Sequence, residues 1–188
     1  MGRLAALLTL LSVANAAAAV DPRAESVARK IDLIQSGKAK PGAVFVFTVA
    51  DLNAWARFKA PQVVPQGLRQ PRLELGNNSA TGYALVDFLK VRQGAGEETN
   101  WLVAKIIQGE KPVKVSARIQ SRNGRVTVNL QRVEIGGLAV SGATLDFLIQ
   151  TFFLPFYPNA KINESVELAD GIDRIEVTPA EARVYMKK

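Results

Sequence analysis

Two runs of alternating apolar and polar residues, 113–120 and 126–133, stand either side of Arg122-Asn123-Gly124. Asn-Gly suits the positive φ angles of a two-residue type I′ turn, so this stretch is committed to an antiparallel hairpin. In its first arm Val113, Val115, Ala117 and Ile119 face one way, and Lys114, Ser116, Arg118 and Gln120 the other. A sheet built on such a hairpin has one dry side and one wet side, and the dry side needs a cover.

The candidate cover follows at residues 145–157, LDFLIQTFFLPFY, which hold four of the chain's eight Phe residues. Leu145, Leu148, Ile149, Phe152, Phe153 and Phe156 recur at helical spacing and form one continuous stripe. Phe147 and Leu154 lie off that stripe, so the segment is apolar almost all round. A bilayer crossing takes roughly 20 residues, and this run is too short for one. Its partners are therefore protein core, a bound apolar ligand or a membrane surface. Two outcomes stay open: a buried core helix, and a helix that helps to line a ligand cavity.

Elsewhere the chain alternates element types without repeats. Val27, Ile31 and Ile34 predict a helix over 25–36 that Gly37 ends. Residues 43–48, AVFVFT, read as a strand buried on both faces or lining a cavity, with Phe45 and Phe47 as its aromatics. Thr48 and Asp51 have capping-box spacing and start a helix through LNAWARF, striped by Leu52, Trp55 and Phe58. The proline-broken run APQVVPQGLRQP reads as an irregular connection. A hairpin around GNNS then pairs 72–75 with 81–92, a loop covers 94–98, and a short helix carries Trp101 over 100–108. Trp55 and Trp101 suit half-buried packing or the mouth of a cavity. Residues 172–177 and 182–186 close the chain as a hairpin turning at 178–181. The sum is an α+β fold: a curved antiparallel sheet of about five to seven strands packed around an apolar helix, with short additional helices.

The first residues point to export. A short basic start with Arg3, an apolar run over 4–13 and A-x-A patterns before Asp21-Pro22 predict a signal peptide over 1–19, followed by one α+β domain over 20–188. The chain has no Cys, so it carries neither a lipidated cysteine nor disulfides, and a soluble extracytoplasmic or periplasmic product is expected. Formal net charge is +7, of which Arg3 supplies one that cleavage removes, leaving +6. For an exported chain such a charge favours peripheral contact with an anionic membrane surface over nucleic acid. It also serves solubility alone.

What the composition excludes is equally informative. With no His and no Cys there is no Ser-His-Asp or Cys-His arrangement and no thiolate or imidazole metal site. No serine sits in GxSxG or SxxK. Glu164, Glu167, Asp170 and Asp173 lack the alternating pattern of a calcium loop, and Gly94-Ala95-Gly96 is not followed by the rest of a phosphate loop. No catalytic residue, metal or cofactor is expected, and the chain is not read as an enzyme.

The order of elements, with Phe47-Thr48, Leu52-Asn53, Val128, Val133, Ile135, Gly136, Gly137 and Leu138 at matching positions, resembles small bacterial exported proteins related to the tubular lipid-binding (TULIP-like) superfamily. That resemblance implies a helix cradled by a highly curved sheet, binding a phospholipid or similar amphiphile between them with no chemistry performed. The expected function is that of a soluble envelope lipid-binding or lipid-carrier protein. Its ligand is a lipid or other apolar small molecule, and the cavity candidates are Phe45, Phe47, Leu52, Trp55, Trp101, Leu145, Leu148, Ile149, Phe152, Phe153 and Phe156. The rival is a structural or interaction protein with a closed core that docks an envelope partner through a sheet edge.

Overall fold

A computed structural model describes residues 21–63, 67–94, 109–155, 157, 160–169 and 171–188. The expected signal peptide over 1–19, the expected helix 100–108 with Trp101, Phe156 and Asp170 all lie outside the described residues. The fold is α+β, with a large open antiparallel sheet of six strands, a smaller sheet of three, and a few short helices.

Helix α1, Pro22–Gln35, starts where Asp21 accepts the Arg23 N–H at 2.9 Å and Pro22 presets the first helical φ. Its buried stripe is Ala24, Val27 and Ile34. Strand β1, Val44–Thr48, leads directly into α2, Val49–Val63. The capping box is reciprocal: Asp51 N–H donates to Thr48 Oγ1 and Thr48 N–H donates to Asp51 Oδ2, both at 3.1 Å. Helix α2 runs past Pro61, beyond the end expected from LNAWARF, because a proline near a helix terminus removes only one backbone donor.

β1 pairs with β9, Glu181–Met186, which pairs with β8, Ile172–Val177, in the three-stranded sheet. As an edge strand β1 is not buried on both faces, and Val44 is exposed. Beneath α1 and α2 the first core gathers Val27, Ile34, Phe47, Ile172 and Met186.

The larger sheet runs β2 (Leu68–Gly76), β3 (Ser79–Asp87), β4 (Glu110–Arg122), β5 (Arg125–Ile135), β6 (Leu138–Val140), with β7 (Ser165–Glu167) also paired to β5. The β4–β5 hairpin turns on Asn123 and Gly124, φ +52° and +71°, with Arg122 opposite Arg125, as a type I′ turn requires. β2 begins earlier than expected. A register shift between Arg69 and Arg72, with Gln70 at φ +51°, lets Pro71 sit in an edge strand without losing a ladder donor.

β3 ends earlier than expected: at Phe88 the chain turns into α3, Phe88–Gly94, rather than extending to 92. Two contacts cause this. Asp87 Oδ1 accepts the Lys90 N–H at 3.2 Å, and Asp87 N–H donates to Gly67 O at 2.7 Å. A Cβ at Gly67 would lie 2.6 Å from Asp87 O and 2.7 Å from the Val91 side chain, so only glycine permits this approach.

Two asparagines act as substitute strand partners on the larger sheet, one on β2 and one on β5. On β2, Leu73 N–H donates to Asn53 Oδ1 and Asn53 Nδ2 donates to Leu73 O, each at 2.8 Å. On β5, between the stretches paired to β6 and β7, Leu130 N–H donates to Asn163 Oδ1 at 2.7 Å and Asn163 N–H donates to Val128 O at 3.0 Å. The two sheets meet where Gly124 N–H donates to Asp173 O at 2.6 Å and Ile175 N–H donates to Ser121 Oγ at 2.9 Å.

Candidate functional site

The apolar face of the larger sheet comes from β4 and β5 in register. Val113 lies opposite Ile135, Val115 opposite Val133, Ala117 opposite Leu130 and Ile119 opposite Val128. Strict alternation along β5 would put Leu130 and Val133 on opposite faces. A bulge removes the conflict: Ser116 pairs with Arg132 and Ala117 with Leu130, which leaves Gln131 as the extra residue. One inserted residue thus keeps all the large aliphatics of β5 on the dry side.

The cover stands over that face. After β6 the chain forms α4, Gly142–Leu148, and then a π-helical turn, Ile149–Phe153, closed by Leu154 N–H donating to Ile149 O at 3.0 Å. The expected single α-helix is therefore interrupted. A π turn accommodates one extra residue and resets the helical phase. Beyond the π turn Tyr157 lines the space, and its ring stacks on Phe153 with centroids 5.0 Å apart. Phe152 meets Phe88 of α3 edge to face at 5.0 Å, and Phe147 meets Phe152 at 6.4 Å.

No residue of α4 or of the π turn is fully buried. Between cover and sheet runs a groove of about 450 Å³. Its floor is Val113, Val115 and Ala117 of β4 with the β5 aliphatics, and Phe88 and Val91 of α3 are its buried end. Leu145, Leu148, Ile149, Phe152 and Phe153 form the opposite wall, while Leu68, Val86 and Ile162 complete it. Every one of these side chains is hydrocarbon. Among the described residues Tyr157 adds the lone polar side-chain atom.

The sequence-derived cavity candidates divide into two groups. Leu145, Leu148, Ile149, Phe152 and Phe153 line the groove. Phe45, Phe47, Leu52 and Trp55 do not: β1 belongs to the smaller sheet, so these four pack in the first core against Val27, Ile34 and Met186. Trp101 and Phe156 lie outside the described residues. Sequence reasoning placed Val113, Val115 and Ala117 on one face by their alternation, and missed Phe88 and Val91, whose places depend on a tertiary cap, and Tyr157, which follows Phe153 at helical spacing but carries a hydroxyl.

The wet faces carry a repeated electrostatic unit. Glu74 accepts from Tyr83 at 2.8 Å and from Arg72, whose guanidinium sits 4.2 Å from the Tyr83 ring centroid. Glu176 accepts from Tyr185 at 2.7 Å and from Arg174, 3.8 Å from the Tyr185 ring. The tyrosine hydroxyl, and then the arginine, hold each carboxyl below its ordinary range. These are paired surface charges on strands, remote in character from the groove.

Glu164 pairs with Lys161, Glu167 with Arg125 and Asp173 with Arg174. Among the described residues no three His, Cys, Asp or Glu side chains converge on a point that could hold a metal, and no helix is long and apolar enough to cross a membrane. The chain matches no protein-family model, no curated protein and no solved structure.

Proposed function

We propose that this chain is an exported lipid-binding or lipid-carrier protein of the cell envelope that holds an acyl chain or similar amphiphile between the larger sheet and α4 with its π turn. The observation that carries the reading is the lining of the groove, hydrocarbon at every described position but Tyr157. Its volume of about 450 Å³ falls within the range of about 300–1,000 Å³ usual for small-molecule sites. Among the described lining side chains water has a single hydroxyl to bond, so displacing it by an apolar group is favourable. Each methylene withdrawn from water contributes about 0.8 kcal/mol, so about ten of them offset the several kcal/mol lost on association. Binding of this kind needs no catalytic group.

Further support comes from the sheet flanks. Docking by strand addition requires unpaired backbone groups, and Asn53 and Asn163 reduce their number at Leu73 and at Val128 to Leu130. The N-terminal pattern supports export. The basic charge supports peripheral contact with anionic membrane, where a lipid would be collected or delivered.

Native mass spectrometry of the protein recovered from the envelope of its own host tests the reading. A bound species with the mass of a lipid, released on unfolding, is the expected result. A bare polypeptide that also fails to take up lipid from vesicles would overturn it.

A further inference from the structure

We infer that Tyr157 receives the polar end of the ligand, and that the ligand is a single-chain amphiphile with a hydrogen-bond-accepting head, a long-chain monocarboxylate. This rests on the groove being a lipid site. Four observations lead there. Among the described residues the lining contains no charged side chain, so a head carried inside would be left desolvated and unpaired. Tyr157 is the lining residue with a polar side-chain atom, and it is 45% exposed, which places its ring where the groove meets water. Among the described residues its hydroxyl makes no hydrogen bond, whereas Tyr83 and Tyr185 each donate to a glutamate. Its position is fixed by its own backbone, since Tyr157 N–H donates to Phe153 O at 3.2 Å and to Leu154 O at 3.1 Å, and by stacking on Phe153.

A phenol so held is a preset donor at the mouth of an otherwise apolar slot. The chain lies along the strands and the carboxylate accepts from the phenol, keeping its remaining lone pairs in water. The volume lies in the lower half of the usual range for such sites, which suits one chain rather than two.

The test compares hexadecanoic acid with hexadecane, each delivered from cyclodextrin, on the wild-type protein and on Tyr157→Phe. The substitution keeps the ring and removes the donor, so retained hexadecane binding reports an intact groove. The expected result is a loss of about tenfold in affinity for the acid, the scale of a hydrogen bond to a charged acceptor, with hexadecane unchanged. Equal effects on both ligands, or no effect on either, would overturn the inference and leave the lipid site standing. So would a wild-type protein that binds hexadecane and not the acid. Binding of neither by the wild type overturns the lipid site and this inference together.

Discussion

Phe88 and Phe152 meet edge to face, with ring centroids 5.0 Å apart and planes at 76°. The contact joins the π turn to α3 across the end of the groove. Aromatic pairs of this geometry contribute about 0.5–1.5 kcal/mol beyond their buried area, enough to seat the cover against the sheet at one end. The rest of the cover stays only partly buried, and among the described residues none fills the space beside it.

Phe47 and Phe152 should therefore respond differently to truncation. Phe47 is buried in the first core, and Phe47→Ala is expected to cost about 3–5 kcal/mol with lipid uptake per folded molecule unchanged. Phe152→Ala, at a half-buried position on the groove wall, should cost distinctly less stability and weaken uptake. Chemical denaturation and a lipid-binding assay on the same samples measure both. Equal full-sized stability losses with uptake unaffected by either would mean that the cover is ordinary core.

Asn53 is expected to be the most sensitive polar side chain in the fold. Asn53→Ala strands the N–H and C=O of Leu73 at a buried site, which costs about 1–3 kcal/mol, and it reopens the flank of β2 to strand pairing. Denaturant midpoints and light scattering should show a less stable chain that self-associates. An unchanged midpoint would show that water replaces the amide without loss.

Much of this architecture was legible in the sequence because its signals are local. Asn123-Gly124 fixes a hairpin by backbone conformation alone, and Thr48 with Asp51 fixes a helix start within four residues. The misreadings share a cause: the deciding contact comes from elsewhere in the chain. Leu89 and Val91 continue a strand-like pattern, and only the cap from Asp87 and the approach of Gly67 turn them into a helix. Gln131 looks like any polar strand residue until Ser116 and Ala117 define the register around it. Phe45 and Phe47 have the same composition as groove residues, but pairing of β1 with β9 puts them in the other core. Tyr157 stands at i+4 from Phe153 and continues the stripe, but its hydroxyl set it apart from the apolar residues counted there.

Acid should weaken the fold through Glu74 and Glu176. Hydrogen bonds from Tyr83 and Tyr185 respectively lower their pKa values in the folded state. A depressed folded pKa gives stability that is present above the unfolded value, about 4.3 for Glu, and lost as pH falls through the folded one. Thermal midpoints should hold between about pH 7 and 5 as far as these groups contribute, then drop below about pH 4. In Glu176→Gln that acid drop should be shallower, and an identical acid profile would remove Glu176 from the account.

Membrane contact and groove binding should separate in salt. With a formal charge of +7, or +6 for a chain without the proposed signal peptide, weak binding to anionic vesicles is expected at low ionic strength, worth about 1 kcal/mol at most per engaged Lys or Arg. It should fade as the Debye length falls from about 10 Å at 0.1 M to about 3 Å at 1 M. Lipid already in the groove should stay, because burial of a hydrocarbon chain is not screened. Vesicle binding indifferent to salt would instead indicate that exposed apolar residues such as Phe147 enter the bilayer.

The central claim is that an acyl chain lies between β4, β5 and the π turn. Its most direct test is a set of nuclear Overhauser contacts between the chain methylenes of bound hexadecanoic acid and the methyl groups of the protein. Contacts to Val115, Leu130 and Ile149, with none to Val27 or Ile34 of the first core, are the predicted result. Contacts confined to Val27 and Ile34, or a ligand that contacts no methyl group of the groove, would contradict it.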